Sequence, residues 1–129
     1  MWVNFKSMPL LLKFLTAHAL ACFVFFVTTL VPSSNFVLNG HHVSFSTWWS
    51  SGVGFFASLV GVVGLAVGLL LLTKWRHARI AYLGFLILVL VVPYPIVGHP
   101  ALALVGLATV GALALYLYRK QSTQCYFAL

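Results

Sequence analysis

The chain has 129 residues, of which 63% are apolar and only 5% are charged, and its mean hydropathy is +1.10. In soluble domains about half of the residues are apolar and about a quarter are charged, so this composition excludes an ordinary soluble domain. Seven lysine and arginine residues and no aspartate or glutamate give a net charge of +7. The absence of acids argues against proton relays, cation-coupled transport and carboxylate catalysis, which need ionisable acids. We therefore expect a membrane protein that is not an enzyme and binds no cofactor.

Four apolar segments are long enough to cross a membrane, because a crossing needs about 20 helical residues. They run over about 9–31, 48–73, 79–97 and 100–118. We predict an all-α integral membrane protein, a four-transmembrane-helix antiparallel bundle that forms a single domain over residues 1–129. The connections are short, so an outer hairpin and a proline turn are the only further structure expected.

The basic residues indicate the orientation of these helices. They are Lys6, Lys13, Lys74, Arg76, Arg79, Arg119 and Lys120. All lie near the chain ends or in the second connection, whereas the connections over 32–47 and 93–100 contain none. Because basic residues remain preferentially in the cytoplasm, both termini are predicted to be cytoplasmic, where the charge attracts anionic headgroups. The small size of the chain and its short loops favour a bacterial inner membrane as its location. Nucleic-acid binding is not expected, because the basic residues lie in short turns next to the membrane.

A hairpin pattern precedes the second apolar segment. The pair Asn39-Gly40 separates two short runs within residues 35–44, and it supplies the positive φ angles of a type I′ turn. We predict a small extracytoplasmic β-hairpin there. Ser46 or Thr47 is expected to cap the second helix, which Trp48 and Trp49 anchor at the headgroups.

The second segment carries a face of small residues. Gly54, Ser58, Gly61, Gly64 and Gly68 recur every three or four positions, which is the spacing of one helical face, and the last two form a GxxxG pair. Such a face lets another helix approach closely, either within the chain or in a second copy. A counterpart is available on the fourth segment, formed by Ala101, Ala108, Gly111 and Ala112.

His18 is the first candidate binding residue. It lies about 12 Å above the start of the first helix, and an ionisable group at membrane depth is a functional hypothesis by default. The alternative is a neutral imidazole that bonds a backbone carbonyl or a threonine such as Thr28 or Thr109.

The second candidate site is the segment that contains Pro93, Tyr94, Pro95 and His99. Prolines remove backbone donors, so carbonyls near residues 88–92 lose their helical partners. Two interpretations remain open, an interfacial turn and a re-entrant turn that contacts a ligand.

No metal site is expected, although three histidines lie in the outer connections. His41 and His42 are adjacent in a strand and point to opposite faces, and neither they nor His99 have an outer cysteine or carboxylate to complete a ligand set. Catalytic residues are also not indicated, because no nucleophile is paired with a base by spacing.

These patterns predict a small non-enzymatic polytopic membrane protein that acts by association. It is expected to be an accessory subunit of a larger membrane complex or a homo-oligomer, since it has a packing face and a basic surface. The alternative is an oligomeric channel or permease for an anion or a neutral small solute. The helices carry few polar groups that could replace the hydration shell of a transported solute, which weakens that alternative.

Overall fold

The computed structural model describes residues 1–32 and 35–128, and this part of the chain is mostly helical. The helices are α1 (Trp2–Ser7), α2 (Leu10–Ala21), α3 (Phe23–Leu30), α4 (Phe45–Ser50), α5 (Val53–Leu72), α6 (Ala78–Leu90), α7 (Pro93–Ile96), α8 (Pro100–Arg119) and α9 (Gln121–Phe127). Strands β1 (Val37–Leu38) and β2 (His41–His42) form one antiparallel pair.

Among the described residues, four helical stretches are long and apolar enough to cross a membrane, which confirms that part of the prediction. We call them span 1 (Leu10–Leu30), span 2 (Val53–Leu72), span 3 (Ala78–Ile96) and span 4 (Pro100–Arg119). Span 1 joins α2 and α3 through Cys22, whose φ of −57° and ψ of −21° keep the chain nearly helical. The predicted two-stranded sheet is also present, and Asn39 and Gly40 have φ angles of 51° and 82°, as a type I′ turn requires.

The segment predicted over 48–73 is divided in two. Gly52 has a φ of 81°, and a right-handed helix cannot continue through a residue in this left-handed conformation. Span 2 therefore begins only at Val53. Trp48 and Trp49 belong instead to the separate helix α4. The expected cap at Ser46 or Thr47 is wrong, because the Ser44 hydroxyl caps α4 by accepting the Thr47 N–H at 3.2 Å.

Span 3 is irregular where its prolines lie. Helix α6 ends at Leu90, and the N–H groups of Val91 and Val92 both donate to the carbonyl of Ile87, at 3.0 and 3.1 Å. Pro93 then begins the single turn α7, since its fixed φ and missing N–H suit the first position of a helix.

Two short terminal helices, α1 and α9, were not foreseen. The expectation that the hairpin and the proline turn are the only structure besides the long helices is therefore wrong. Both segments are polar enough to escape a search for apolar runs and too short to be recognised by periodicity. They pack against the end of span 2, as described below.

Each span packs mainly against its neighbour in the chain: span 1 against span 2, span 2 against span 3, and span 3 against span 4. The large side chains that are almost fully buried are Leu12, Thr16, Leu71, Tyr82, Phe85, Leu117 and Thr123. In span 2, 33% of the most apolar stretch is buried inside the protein. In spans 3 and 4, the buried share of the corresponding stretch is only 17%. Spans 3 and 4 therefore present the most uncovered apolar surface.

Candidate functional site

The small-residue face of span 2 lies directly against span 1. A Cβ atom added to Gly61 would lie 2.6 Å from the backbone nitrogen of Phe26, and one added to Gly64 would lie 2.7 Å from the Cβ of Cys22. Real Cβ atoms do not come so close, so these positions require glycine for the backbones to approach as they do. At Gly68 the added atom would meet the side chain of Leu20 at 2.6 Å.

A hydroxyl pair continues this interface. Thr29 on span 1 donates its proton to the carbonyl of Phe26 at 2.8 Å, so Ser58 is the donor in the 2.8 Å hydrogen bond between Ser58 and Thr29. Gly54, at the other end of the face, lies under the indole of Trp48, whose Cδ1 would be 2.8 Å from an added Cβ. All five small residues thus contact other parts of the same chain.

The counterpart suggested on span 4 does not contact this face. Ala101, Ala108, Gly111 and Ala112 are all exposed, and a Cβ added to Gly111 would have no neighbour within 4 Å. Span 4 packs instead on span 3 through Gly106, where an added Cβ would fall on the carbonyl oxygen of Leu90. A pattern of small residues alone does not reveal which of two small faces a neighbour covers.

His18 is exposed on the surface of span 1. The centroid of its imidazole ring lies 6.5 Å from that of the Phe85 ring. The two ring nitrogens make no hydrogen bond within the part of the chain that the structure describes. Thr28 and Thr109, its suggested partners, each donate to a carbonyl of their own helix, at 3.0 and 2.9 Å. The imidazole is thus a polar group on an apolar surface, with no hydrogen-bond partner among residues 1–32 and 35–128.

The proline segment forms a groove with span 4. A cavity of about 190 Å³ is lined by Leu90, Tyr94, Leu102, Val105, Gly106 and Thr109. Pro95 and His99 are exposed, and the backbone N–H of His99 donates to the carbonyl of Tyr94 at 2.8 Å. The structure therefore brings Tyr94 into a groove but leaves Pro95 and His99 outside it. Leu90, which lies in the 88–92 stretch that the prolines had pointed to, also lines the groove, as does Gly106, which no sequence pattern had singled out.

His41, His42 and His99 do not converge on one site. Within the described residues, no group of three histidine, cysteine or acidic side chains comes close enough to hold a metal ion. His41 and His42 are both exposed on β2, and His99 precedes span 4.

The two terminal helices meet the carboxyl end of span 2. The side-chain amide of Asn4 donates to the carbonyl of Leu72 at 2.8 Å, and the hydroxyl of Tyr126 donates to the carbonyl of Leu71 at 3.1 Å. The last carbonyls of a helix have no partner inside it, so Asn4 satisfies such a group at Leu72. Tyr126 adds a second donor to the carbonyl of Leu71, which also accepts the Lys74 N–H at 3.3 Å. Burial raises the pKa of Tyr126 to about 12, so it remains a neutral donor at physiological pH.

Near the carboxyl end of span 2, basic side chains contact aromatic rings. The Nζ of Lys74 lies 4.8 Å from the ring centroid of Tyr126. The guanidinium of Arg79 lies 4.8 Å from the ring of Tyr118 and 5.2 Å from that of Phe127. The chain has no aspartate or glutamate, so cation–π contacts stabilise these cations in place of ion pairs. Arg79 also donates from Nη1 to the carbonyl of Leu117 at 3.5 Å. Aromatic residues beside the basic turns were the only sequence pattern that could have indicated this arrangement.

Comparisons with protein-family models, with curated proteins and with solved structures find no match to this chain.

Proposed function

We propose that the four spans form an antiparallel bundle that crosses a bacterial inner membrane with both termini in the cytoplasm. The basic residues at the chain ends and in the turn between spans 2 and 3 support this orientation. Further support comes from Asn4 and Tyr126, which bond both chain ends to the residues just before that turn. A membrane-impermeant thiol reagent tests the orientation, because Cys125 is exposed and Cys22 is buried. Labelling of Cys125 only after the membrane is opened is the expected result.

We further propose that the protein acts by association, as an accessory subunit of a larger membrane complex or as a homo-oligomer. The observation that carries this proposal is the exposed imidazole of His18, which has no hydrogen-bond partner in the part of the chain that the structure describes. An unsatisfied polar group in the bilayer core costs several kcal/mol, and such groups usually face a protein neighbour or water. A hydrogen-bonding group on an associated helix would satisfy it.

The uncovered surface of span 4 is consistent with association. Its small residues, Ala101, Ala108, Gly111 and Ala112, are exposed, and small residues allow the backbone of a neighbouring helix to approach closely. The small-residue face of span 2 is already occupied by span 1, so span 4 offers the free surface of this kind.

Native mass spectrometry of the protein, extracted in mild detergent at native expression level, tests association. The wild type is expected to appear with a second membrane protein in fixed stoichiometry or as a homo-oligomer. His18→Leu should lower the associated fraction, and His18→Gln should retain more of it because the amide still forms hydrogen bonds. Phe14→Leu is the matched control, since Phe14 is exposed one turn earlier on the same face. A monomeric wild type, or equal loss in His18→Leu and Phe14→Leu, would contradict the proposal.

The alternative function, a channel or permease for an anion or a neutral small solute, requires an oligomer. The buried hydroxyls of Thr16 and Thr29 donate to their own helices, so within one chain they do not offer a solute a series of polar groups. Solute flux into liposomes that contain a purified homo-oligomer, and its loss with Pro95→Ala, would favour this alternative.

A further inference from the structure

A cavity lies where the two terminal helices meet the turn after span 2. It has a volume of about 210 Å³ and is lined by Ser7, Lys74, Ser122, Cys125 and Tyr126. Bulk water takes about 30 Å³ per molecule, so the cavity has room for a group several times larger than water. Three segments that are distant in sequence therefore meet at this cavity, around a single ammonium group.

The backbone of Lys74 is unusual. Its φ is 56°, and the N–H groups of Lys74 and Trp75 donate to the carbonyls of Leu71 and Leu70 at 3.3 and 3.1 Å. This pair of bonds is the Schellman ending of a helix, and its left-handed position is usually glycine. A lysine is less favourable there because its Cβ crowds the backbone. Residues that oppose the local backbone preference concentrate at functional or strained sites, so the side chain of Lys74 is a candidate for a binding role.

The charge of Lys74 has no acidic partner in this chain, because the sequence contains no aspartate or glutamate. The phenol of Tyr126 is neutral, and its ring contacts Nζ only through a cation–π interaction. The Ser7 hydroxyl donates to the carbonyl of Asn4 at 2.8 Å, whereas the side-chain hydroxyl of Ser122 makes no hydrogen bond within the described residues. An ammonium group and a hydroxyl donor that line the same cavity are a suitable environment for an anion.

We propose that this cavity binds a phosphate group, with Lys74 supplying the charge and Ser122 a hydrogen bond. If the chain crosses the membrane as proposed above, the cavity lies at the cytoplasmic headgroup level, and the phosphate diester of an anionic phospholipid is its ligand. A free inorganic phosphate shares the same chemistry and is the other source.

The test measures lipid binding by native mass spectrometry of the purified full chain, titrated with phosphatidylglycerol and with phosphatidylcholine. We expect preferential binding of phosphatidylglycerol. Lys74→Gly and Lys74→Gln should each raise its Kd about tenfold, because a charge-assisted hydrogen bond is lost. Lys74→Gly also relieves the left-handed backbone, so the loss cannot be attributed to misfolding if the thermal stability is unchanged or higher. Ser122→Ala should have a smaller effect in the same direction.

Lys120→Gln is the matched control. It removes the same charge from an exposed residue that does not line the cavity, and it should change the Kd less than about twofold. Equal weakening by Lys120→Gln and Lys74→Gly, or equal affinity for the two lipids and no binding of phosphate, would overturn the proposal. Inorganic phosphate that binds without lipid and depends on Lys74 would support the cavity and identify the free anion as its source. The same spectra report protein–protein association separately, so a failure of that proposal is distinguishable from a failure of this one.

Discussion

Replacing Gly61 by alanine tests whether close backbone approach holds spans 1 and 2 together. The new Cβ would lie 2.6 Å from the nitrogen, 2.7 Å from the Cβ and 3.0 Å from the Cα of Phe26. Two of these three atoms belong to the backbone of span 1, so no side-chain rotation can remove the clash. The two helices must instead move apart.

The size of the effect follows from that movement. Nonbonded carbon atoms lie about 3.5–4.0 Å apart, so the helices must separate locally by about 1 Å. Overpacking of this kind costs about 1–3 kcal/mol. Gly84→Ala is the matched control, because an added Cβ there has no neighbour within 4 Å. Alanine is the better helix former by up to about 1 kcal/mol, so the control should be neutral or stabilising.

Cys22 provides the assay for this prediction. Its thiol is buried in the same interface, one turn from Phe26, and Cys125 is exposed. In a Cys125→Ser background, the rate at which a thiol reagent labels Cys22 during heating in detergent reports the opening of spans 1 and 2. Gly61→Ala should lower the labelling midpoint by several degrees, and Gly84→Ala should not. A Gly61→Ala midpoint at or above that of the wild type would refute the argument from backbone approach.

Three further perturbations have expected outcomes. Gly106→Ala should separate spans 3 and 4 and lower the unfolding midpoint more than Gly61→Ala does, since its Cβ would fall on the carbonyl oxygen of Leu90. Ser58→Ala should cost about 0.6–1.7 kcal/mol, measured by unfolding in detergent, because the hydrogen bond to Thr29 is lost. Raising the pH from 10 to 12 should destabilise the protein through Tyr126, because burial raises its pKa to about 12 and the folded state therefore holds the phenolic proton more tightly than the unfolded state.

Each of these three predictions has a control. Gly84→Ala serves for Gly106→Ala, and equal midpoints for the two variants would show that the contact with Leu90 is not tight. Ser50→Ala serves for Ser58→Ala, since Ser50 is exposed and bonds only within its own turn. Tyr126→Phe should remove part of the pH dependence between 10 and 12, and an unchanged profile would exclude Tyr126 as its source.

Much of the fold follows from local sequence. The length and apolar character of the four long helices are sufficient to predict them, because lipid and protein interiors both select such runs. The pair Asn39-Gly40 likewise predicts its turn, since both residues tolerate positive φ. The division of the second segment at Gly52 was not predictable with the same certainty, because glycine is also common inside membrane helices.

The sequence by itself therefore determined that the chain is mostly helical, and it determined four long apolar helices, the hairpin and the small-residue face on span 2. Only the tertiary structure decided that this face packs on span 1, that Gly106 meets Leu90, and that Asn4 and Tyr126 bond the end of span 2. The physical reason is the range of the interactions. A helix or a turn is stabilised by residues within about four positions of one another, whereas helix pairing depends on the fit of surfaces far apart in the chain.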